Sequence, residues 1–413
     1  MKESLKVQNK VAILISWPRE FDMFSVITNN INKDLLVVII DDFVYEEYER
    51  QGNVKNLLHL INNVNYVLLS DVIGKYKYKY LFSTAQTFRE NITALSFIKY
   101  LYGRSIGRVV EASKIYKFFL FLFNRPLTGN AGKVKKFEIE QIERLVGVKT
   151  IRFPKGLDLS LKSYPVGRWE KSFDMHLCHS NIDYDLITDN FPSAECVKIG
   201  YPRYENIVSP YEAKKIIYKE FSDLDESKPT IVWIPAHIKI KSELGNNVKL
   251  WLPIINKLTA NYNVIVRPHP KTRIVCPNTI NDIIKSDLIV DLEFDREMSI
   301  LYQASDLVLA DYGGSVFDSI YMKRNIILLN MPHKSKFYKW RKYGEYLDNY
   351  VRNDATFVEY NSNINLIKKI DHSLSNSKDS ALSSLKNKFF KEDNNYKNIF
   401  DIIREIENEI NKT

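Results

Sequence analysis

Two short segments carry the residue types best suited to hold a phosphorylated ligand: Val266-Arg267-Pro268-His269-Pro270 and Ala310-Asp311-Tyr312-Gly313-Gly314-Ser315-Val316-Phe317-Asp318. Each follows an apolar run that reads as a buried parallel strand, and the second opens a helix on glycine and serine. In an open α/β sheet, ligands bind beyond the carboxyl ends of the strands, where helix N-termini hold phosphate. A guanidinium beside an imidazole suits a pyrophosphate whose leaving-group charge must be neutralised, and Pro268 and Pro270 stiffen the exit from the strand. Gly313 and Gly314 let the backbone come close to a ligand. Ser315 is expected to cap the helix while its amide meets a phosphate oxygen. Asp318, one turn further on, is expected to face the same cleft and accept ribose or substrate hydroxyls. Together with Asp311 these residues point to an enzyme. The plainer reading of the same residues is an arginine in a surface ion pair, a histidine satisfied by a carbonyl, and an aspartate that favours the helix dipole.

His237 ends another strand-like run and either lines the same crevice or sits on a solvent-facing loop. The first half of the chain offers Pro154-Lys155-Gly156 and His179-Ser180, each after a strand-like run. Gly200-Tyr201-Pro202-Arg203 places a cation after a turn, to reach the cleft or to orient a hinge. His176, Cys178 and His179 are close in sequence, but on a strand His176 and Cys178 face one way and His179 the other. No distant pair completes a zinc-type ligand set, so no metal is expected.

These residues need a scaffold, and the pattern supplies one. Short β-branched runs alternate with longer helical patterns, the signature of βαβ units and a mostly parallel sheet. Strands are expected at 11–16, 35–41, 66–70, 150–153, 173–178 and 197–199, with helices near 91–102 and 136–145. A more regular series follows the polar stretch 222–229, which reads as a connection between lobes. It runs strand 230–235, helix 249–261, strands 263–267 and 288–292, helix 296–304, strand 307–310, helix 315–323 and strand 325–330. Helical segments at 364–374, 380–390 and 398–411 are expected to pack outside, crossing back toward the first lobe. The resulting division is an acceptor- and membrane-facing α/β lobe at 1–205, a donor-nucleotide-binding lobe at 206–350 and a helical segment at 351–413.

The 413 residues exceed what one core needs, and two domains of roughly 150 to 200 residues are the natural division. With 45% hydrophobic and 26% charged residues the composition is globular, which excludes an extended disordered chain. The first ten residues lack the apolar core of a secretory signal, and the apolar run 118–123 is far shorter than a membrane span. Cys178, Cys196 and Cys276 are scattered, as suits a reducing compartment. A cytoplasmic protein is expected. The formal net charge of +9 is partly interleaved with aromatics at 75–80 and 114–119, a pattern that suits an anionic membrane surface or polymer or, more plainly, solvated faces. No recognised nucleic-acid-binding module is present, and no nucleic-acid partner is expected.

The order Gly200-Tyr201-Pro202-Arg203, Ile234-Pro235-Ala236-His237, Arg267-Pro268-His269-Pro270 and Ala310 to Asp318 resembles the CDP-glycerol glycerophosphotransferases of teichoic-acid and capsule assembly, over roughly residues 150–335. The resemblance implies a GT-B fold, two Rossmann-like lobes about a central cleft. It implies metal-free and cofactor-free transfer of a polyol phosphate from a nucleotide-activated, cytidine donor to a glycan or lipid-linked acceptor, with the enzyme peripheral at the inner face of the membrane. It would set Arg267, His269, Gly314, Ser315 and Asp318 on donor phosphate and ribose positions. Two departures stand out. Lys155 occupies the place of the family's first-lobe histidine, the base toward the acceptor, and Gly-Gly-Ser replaces two serines. A lysine is a poor base and a better phosphate ligand, so His179 or Asp158 would have to take the proton. A nucleotide-sugar glycosyltransferase, a nucleotide-sugar 2-epimerase and a non-catalytic subunit of a capsule assembly complex remain open alternatives.

Overall fold

Two parallel sheets carry the strand order that creates a ligand crevice. The computed structural model describes residues 6–84 and 142–412, apart from 19, 51, 53, 158, 160, 162–172, 205–206, 239–245, 294–295, 333, 344, 355–356, 359, 361–364, 377–378 and 391–395. The first sheet comprises β1 (Lys6–Ile15), β2 (Leu36–Ile40), β3 (Tyr66–Leu68), β4 (Tyr76–Ser83), β5 (Gly147–Arg152), β6 (Met175–Cys178) and β7 (Glu195–Lys198), in the order β3-β2-β1-β4-β5-β6-β7. The second comprises β8 (Thr230–Ile234), β9 (Asn263–Val266), β10 (Ile289–Val290), β11 (Leu307–Ala310), β12 (Ile326–Leu329) and β13 (Phe357–Val358), in the order β10-β9-β8-β11-β12-β13. Each sheet runs outward from its first strand, returns and runs the other way. The direction of winding switches between β1 and β4 in one lobe and between β8 and β11 in the other, and such switch points open a crevice at the strands' carboxyl ends.

The strands follow from apolar runs buried on both faces. Leu-Val-Val-Ile-Ile of β2 and Thr-Ile-Val-Trp-Ile of β8 are buried throughout, as expected of parallel strands covered on both sides. One strand has a different signature. The Lys-Tyr alternation at 75–80, expected at a membrane surface, is β4, the central strand of the first sheet. Its period of two buries Tyr78 and Tyr80, while Lys79 is turned to the C-terminal helix, where its Nζ donates to the carbonyl of Glu409 at 3.0 Å. The other basic-aromatic segment, 114–119, and the helix expected at 91–102 lie outside the described residues.

Helices hold the lobes together. In Ile399–Asn411, isoleucines at 399, 402, 403, 406 and 410 form one buried stripe, and the Asn398 side chain caps the helix by accepting from the amide of Phe400. That stripe belongs to the core of the first lobe, alongside Val11, Ile13 and Tyr80. The preceding helix, Asp379–Phe390, places Leu382, Leu385, Phe389 and Phe390 in the core of the second lobe. The chain end thus straps both lobes. Two boundaries differ from the sequence expectation. β13 extends the second sheet beyond 350. The helix Pro210–Glu220 already packs in the second lobe through Ala213 and Ile217, so the crossover precedes 222–229. Helices Pro270–Val275 and Pro277–Ile284 begin on prolines, where a proline gives up no helical hydrogen bond. No helix among the described residues is long and apolar enough to cross a membrane.

Ile403 is 2% exposed in the first core. Ile403→Ala is expected to lower stability by about 2–5 kcal/mol, measured as the urea-unfolding free energy.

Candidate active site

The second-lobe switch point gathers three strand exits. His237 follows β8 and His269 follows β9. Both are half-buried, with ring centroids 5.3 Å apart and planes inclined at 39°. From β11 comes Asp311, whose buried carboxylate accepts from the amides of Ala236 at 2.6 Å and Tyr312 at 2.8 Å, and from the Asn247 side chain. Asp311 therefore pins the β8 exit to the β11 exit. Burial raises its pKa, and these donors oppose the shift. The Arg352 guanidinium lies 4.1 Å from the centre of the Tyr312 ring, donates to the Asp311 carbonyl and reaches Asn330 Oδ1 at 2.7 Å.

Gly313 then turns the chain with φ 99, in the region that favours glycine, and its amide donates to Asp348 at 3.1 Å. Gly313 is the N-cap of the helix Gly314–Tyr321, and no side chain caps that helix. Ser315, expected as the cap, lies inside the first turn. Gly314 and Ser315 are half-exposed, and a Cβ added at Gly314 would meet nothing within 4 Å. The helix N-terminus is uncapped and follows the β11 exit, next in the sheet to β8, after which His237 lies, and one strand further from β9, after which His269 lies; helix starts of this kind attract anionic oxygens.

Arg267 is placed otherwise than expected. It is only 6% exposed, and its Nη1 is 3.3 Å from both the carbonyl and the carboxylate of Asp291. Asp291 also holds Arg296, with Nε to Oδ2 at 3.0 Å. Burial lowers the Arg267 pKa and Asp291 opposes the shift. The side chain that was to meet a phosphate instead braces the β9 and β10 exits.

Asp318 is also buried, at 8% exposure, rather than open to the cleft. It accepts from Tyr201 Oη at 2.9 Å and from Tyr302 Oη at 3.4 Å. Burial raises its pKa; Arg203 and the tyrosine hydroxyls pull it back. Tyr201 is the turn residue at the end of the first lobe, so this bond joins the lobes. On its other side the Tyr201 ring stacks on His179 with centroids 4.0 Å apart. Arg203 donates through Nε to Asp22 at 2.7 Å, within the first lobe.

His179 is held by its surroundings on three sides. Its amide donates to Asp183 at 2.7 Å, within a capping box that starts the helix Asn181–Asn190 at Ser180. Its Nδ1 donates to the Gly200 carbonyl at 2.7 Å, which fixes the Nδ1–H tautomer while the ring is neutral. Nε2 is buried with no hydrogen-bond partner among the described residues. Burial pushes the pKa down to about 3, the Gly200 bond opposes this, and Arg152 and Arg203 lower it further. Lys155, after β5, is half-buried beside Gly156, where an added Cβ would lie 3.1 Å from Tyr201 Oη. Asp158 lies outside the described residues. His176 stacks on Phe191, and no group of His, Cys, Asp or Glu among the described residues is placed to hold a metal.

Sequence reasoning missed Asn247, Asp348, Arg352 and the buried Glu20, which accepts from the amides of Ser16 at 2.5 Å and Trp17 at 3.1 Å at the β1 exit. Glu20 carried a local signal, an acid in the first turn of a helix behind a strand; the others lie too far along the chain to be read.

A profile of the CDP-glycerol:poly(glycerophosphate) glycerophosphotransferases matches residues 158–405, more than half of the chain. The chain belongs to this glycerophosphotransferase family. Among solved structures it is similar to the wall teichoic acid polymerase TagF, with a TM-score of 0.57 and 15% identity, over 98% of this chain and 90% of that one. It is also similar to a UDP-GlcNAc 2-epimerase from Neisseria meningitidis, with a TM-score of 0.51 and 13% identity, over 99% of this chain and 100% of that one. At these identities the likeness shows the fold, which is GT-B. An ankyrin repeat protein, L768, of Acanthamoeba polyphaga mimivirus is 29% identical over 168 residues. The match takes in 37% of this glycerophosphotransferase-family chain, which spans only 26% of that relative's length.

Two outcomes are expected from the lobe junction. Tyr201→Phe removes a donor from a buried carboxylate and lowers stability by about 1–3 kcal/mol in urea unfolding. His179, neutral when folded, contributes stability that is present above pH 6.5 and lost as pH falls from there toward about 3. The wild-type urea midpoint should therefore fall more steeply than that of His179→Gln between pH 6.5 and 4; parallel curves would contradict the assignment.

Proposed function

We propose that this chain transfers a glycerol phosphate or related polyol phosphate from a cytidine-activated donor to a glycan or lipid-linked acceptor, in the assembly of a teichoic-acid-like or capsular polymer. The observation that carries this reading is the uncapped helix start at Gly313–Ser315, which follows the β11 exit at the switch point of the second sheet, while the paired rings of His237 and His269 follow the neighbouring β8 and β9 exits. The helix amides hold the donor pyrophosphate, and the two imidazoles hydrogen-bond oxygens that gain charge as the phosphoryl group is transferred.

The acceptor hydroxyl oxygen attacks the polyol-bearing phosphorus. A new P–O bond forms, the bridging P–O bond breaks, and cytidine monophosphate leaves with the electron pair. The hydroxyl proton passes to solvent or to a first-lobe base other than His179, whose Nε2 is buried and whose pKa burial pushes down to about 3. Lys155 offers its charge to a phosphate oxygen. Asp311, Arg267 and Asp318 act as positioning residues. The mechanism uses no metal or other cofactor. The net charge of +9 suits work at an anionic membrane surface, where a lipid-linked acceptor would lie.

With CDP-glycerol and a glycerol phosphate primer, His269→Ala should lower kcat about 100-fold or more while the protein stays folded. Unchanged turnover would remove His269 from the mechanism. Product mass separates this reading from a glycosyltransferase, because an added phosphodiester and an added glycoside differ in composition.

A further inference from the structure

On the flank of the same helix, away from its N-terminus, lies an open cavity of about 390 Å³ lined by Tyr204, Ile207, Tyr321, Met322, Lys323 and Lys386. The lining combines two ammonium groups with two tyrosines, and none of these lining residues is acidic. Lys386 Nζ sits 3.9 Å from the centre of the Tyr321 ring, which ties the cation to one wall.

The second observation is backbone strain. The helix Gly314–Tyr321 ends in a Schellman turn: the Lys323 amide donates to the Ile320 carbonyl at 3.1 Å and the Arg324 amide to the Ser319 carbonyl at 2.9 Å. The residue after the C-cap must then be left-handed, and Lys323 has φ 51. Glycine or asparagine takes that conformation with less strain, so a lysine sets an ammonium at the cavity at a cost in backbone energy.

We infer that this cavity binds a phosphorylated polyol or sugar, with Lys323 and Lys386 holding the phosphate and Tyr204 and Tyr321 packing against the carbon skeleton. Among the described lining residues there is no side-chain amide or carboxylate, and the paired ammonium groups favour a phosphate. The site is separate from the donor crevice, since it is formed by the far end of the helix whose first turn faces that crevice. Its ligand is either a free polyol phosphate or the terminal unit of a phosphodiester chain.

The experiment uses the full chain with ¹³C-labelled methionine methyl groups, the Met322 signal being assigned with Met322→Leu. Saturating cytidine diphosphate occupies the donor crevice throughout. Titration with sn-glycerol 3-phosphate, and separately with a short glycerol phosphate oligomer, should shift the Met322 methyl at low salt. A shift with the monomer identifies a free polyol phosphate, and a shift with the oligomer alone identifies a chain end. Lys323→Gly should weaken that binding about tenfold or more while keeping Tm at or above wild type, because the left-handed strain is relieved. Lys386→Gln should weaken it similarly. No Met322 shift with either probe, or unchanged affinity in both variants, overturns the inference. If cytidine diphosphate itself fails to bind, the donor reading fails while the cavity result stands.

Discussion

The bond from Tyr201 to Asp318 is the constraint on which the rest of the molecule depends. A buried carboxylate is costly unless its oxygens are satisfied, and here the donors come from different lobes: Tyr201 from the crossover of the first, Tyr302 from within the second. Satisfying Asp318 therefore fixes how the lobes meet. The same Tyr201 ring stacks on His179, and the helix bearing Asp318 begins at Gly314, after the β11 exit. One hydrogen bond thus ties His179, stacked on the Tyr201 ring, to the helix that starts at the proposed phosphate cradle. Arg203, next to Tyr201, is anchored to Asp22 within the first lobe, and the C-terminal helices strap the outside.

The chemistry sits where the winding makes room for it. Between β8 and β11 the winding reverses, and the exits of the neighbouring strands β9, β8 and β11 lie side by side. The residues nearest this opening divide into two kinds. His237, His269, Gly314 and Ser315 are half-exposed; Asp311 and Arg267 are buried and bind backbone or carboxylate. Motif residues of both kinds look alike in sequence, because a charged residue at a strand end serves equally well to bind a ligand or to hold the loops that bind it.

That ambiguity marks how far the sequence could be read. β11 is expected at 307–310 and found at Leu307–Ala310, because four apolar residues buried on both faces and followed by Asp311 leave little choice. β4 was hidden by its lysines, whose alternation with tyrosine is the strand period in a polar costume. The turn at Gly313 that opens the helix was legible, because a glycine's backbone freedom has a local cause. The role of Asp318 was not, since its partner Tyr201 lies 117 residues away. Arg267 was misplaced for the same reason: Asp291, which holds it, belongs to another strand exit.

The central claim is that the first turn of the Gly314–Tyr321 helix, with His237 and His269, holds the pyrophosphate of a cytidine-activated donor. A crystal structure of the protein with CDP-glycerol tests it most directly. The account predicts pyrophosphate oxygens within hydrogen-bonding distance of the Gly314 or Ser315 amide and of at least one of the two imidazoles. A pyrophosphate bound elsewhere, with that helix start still open, would contradict it.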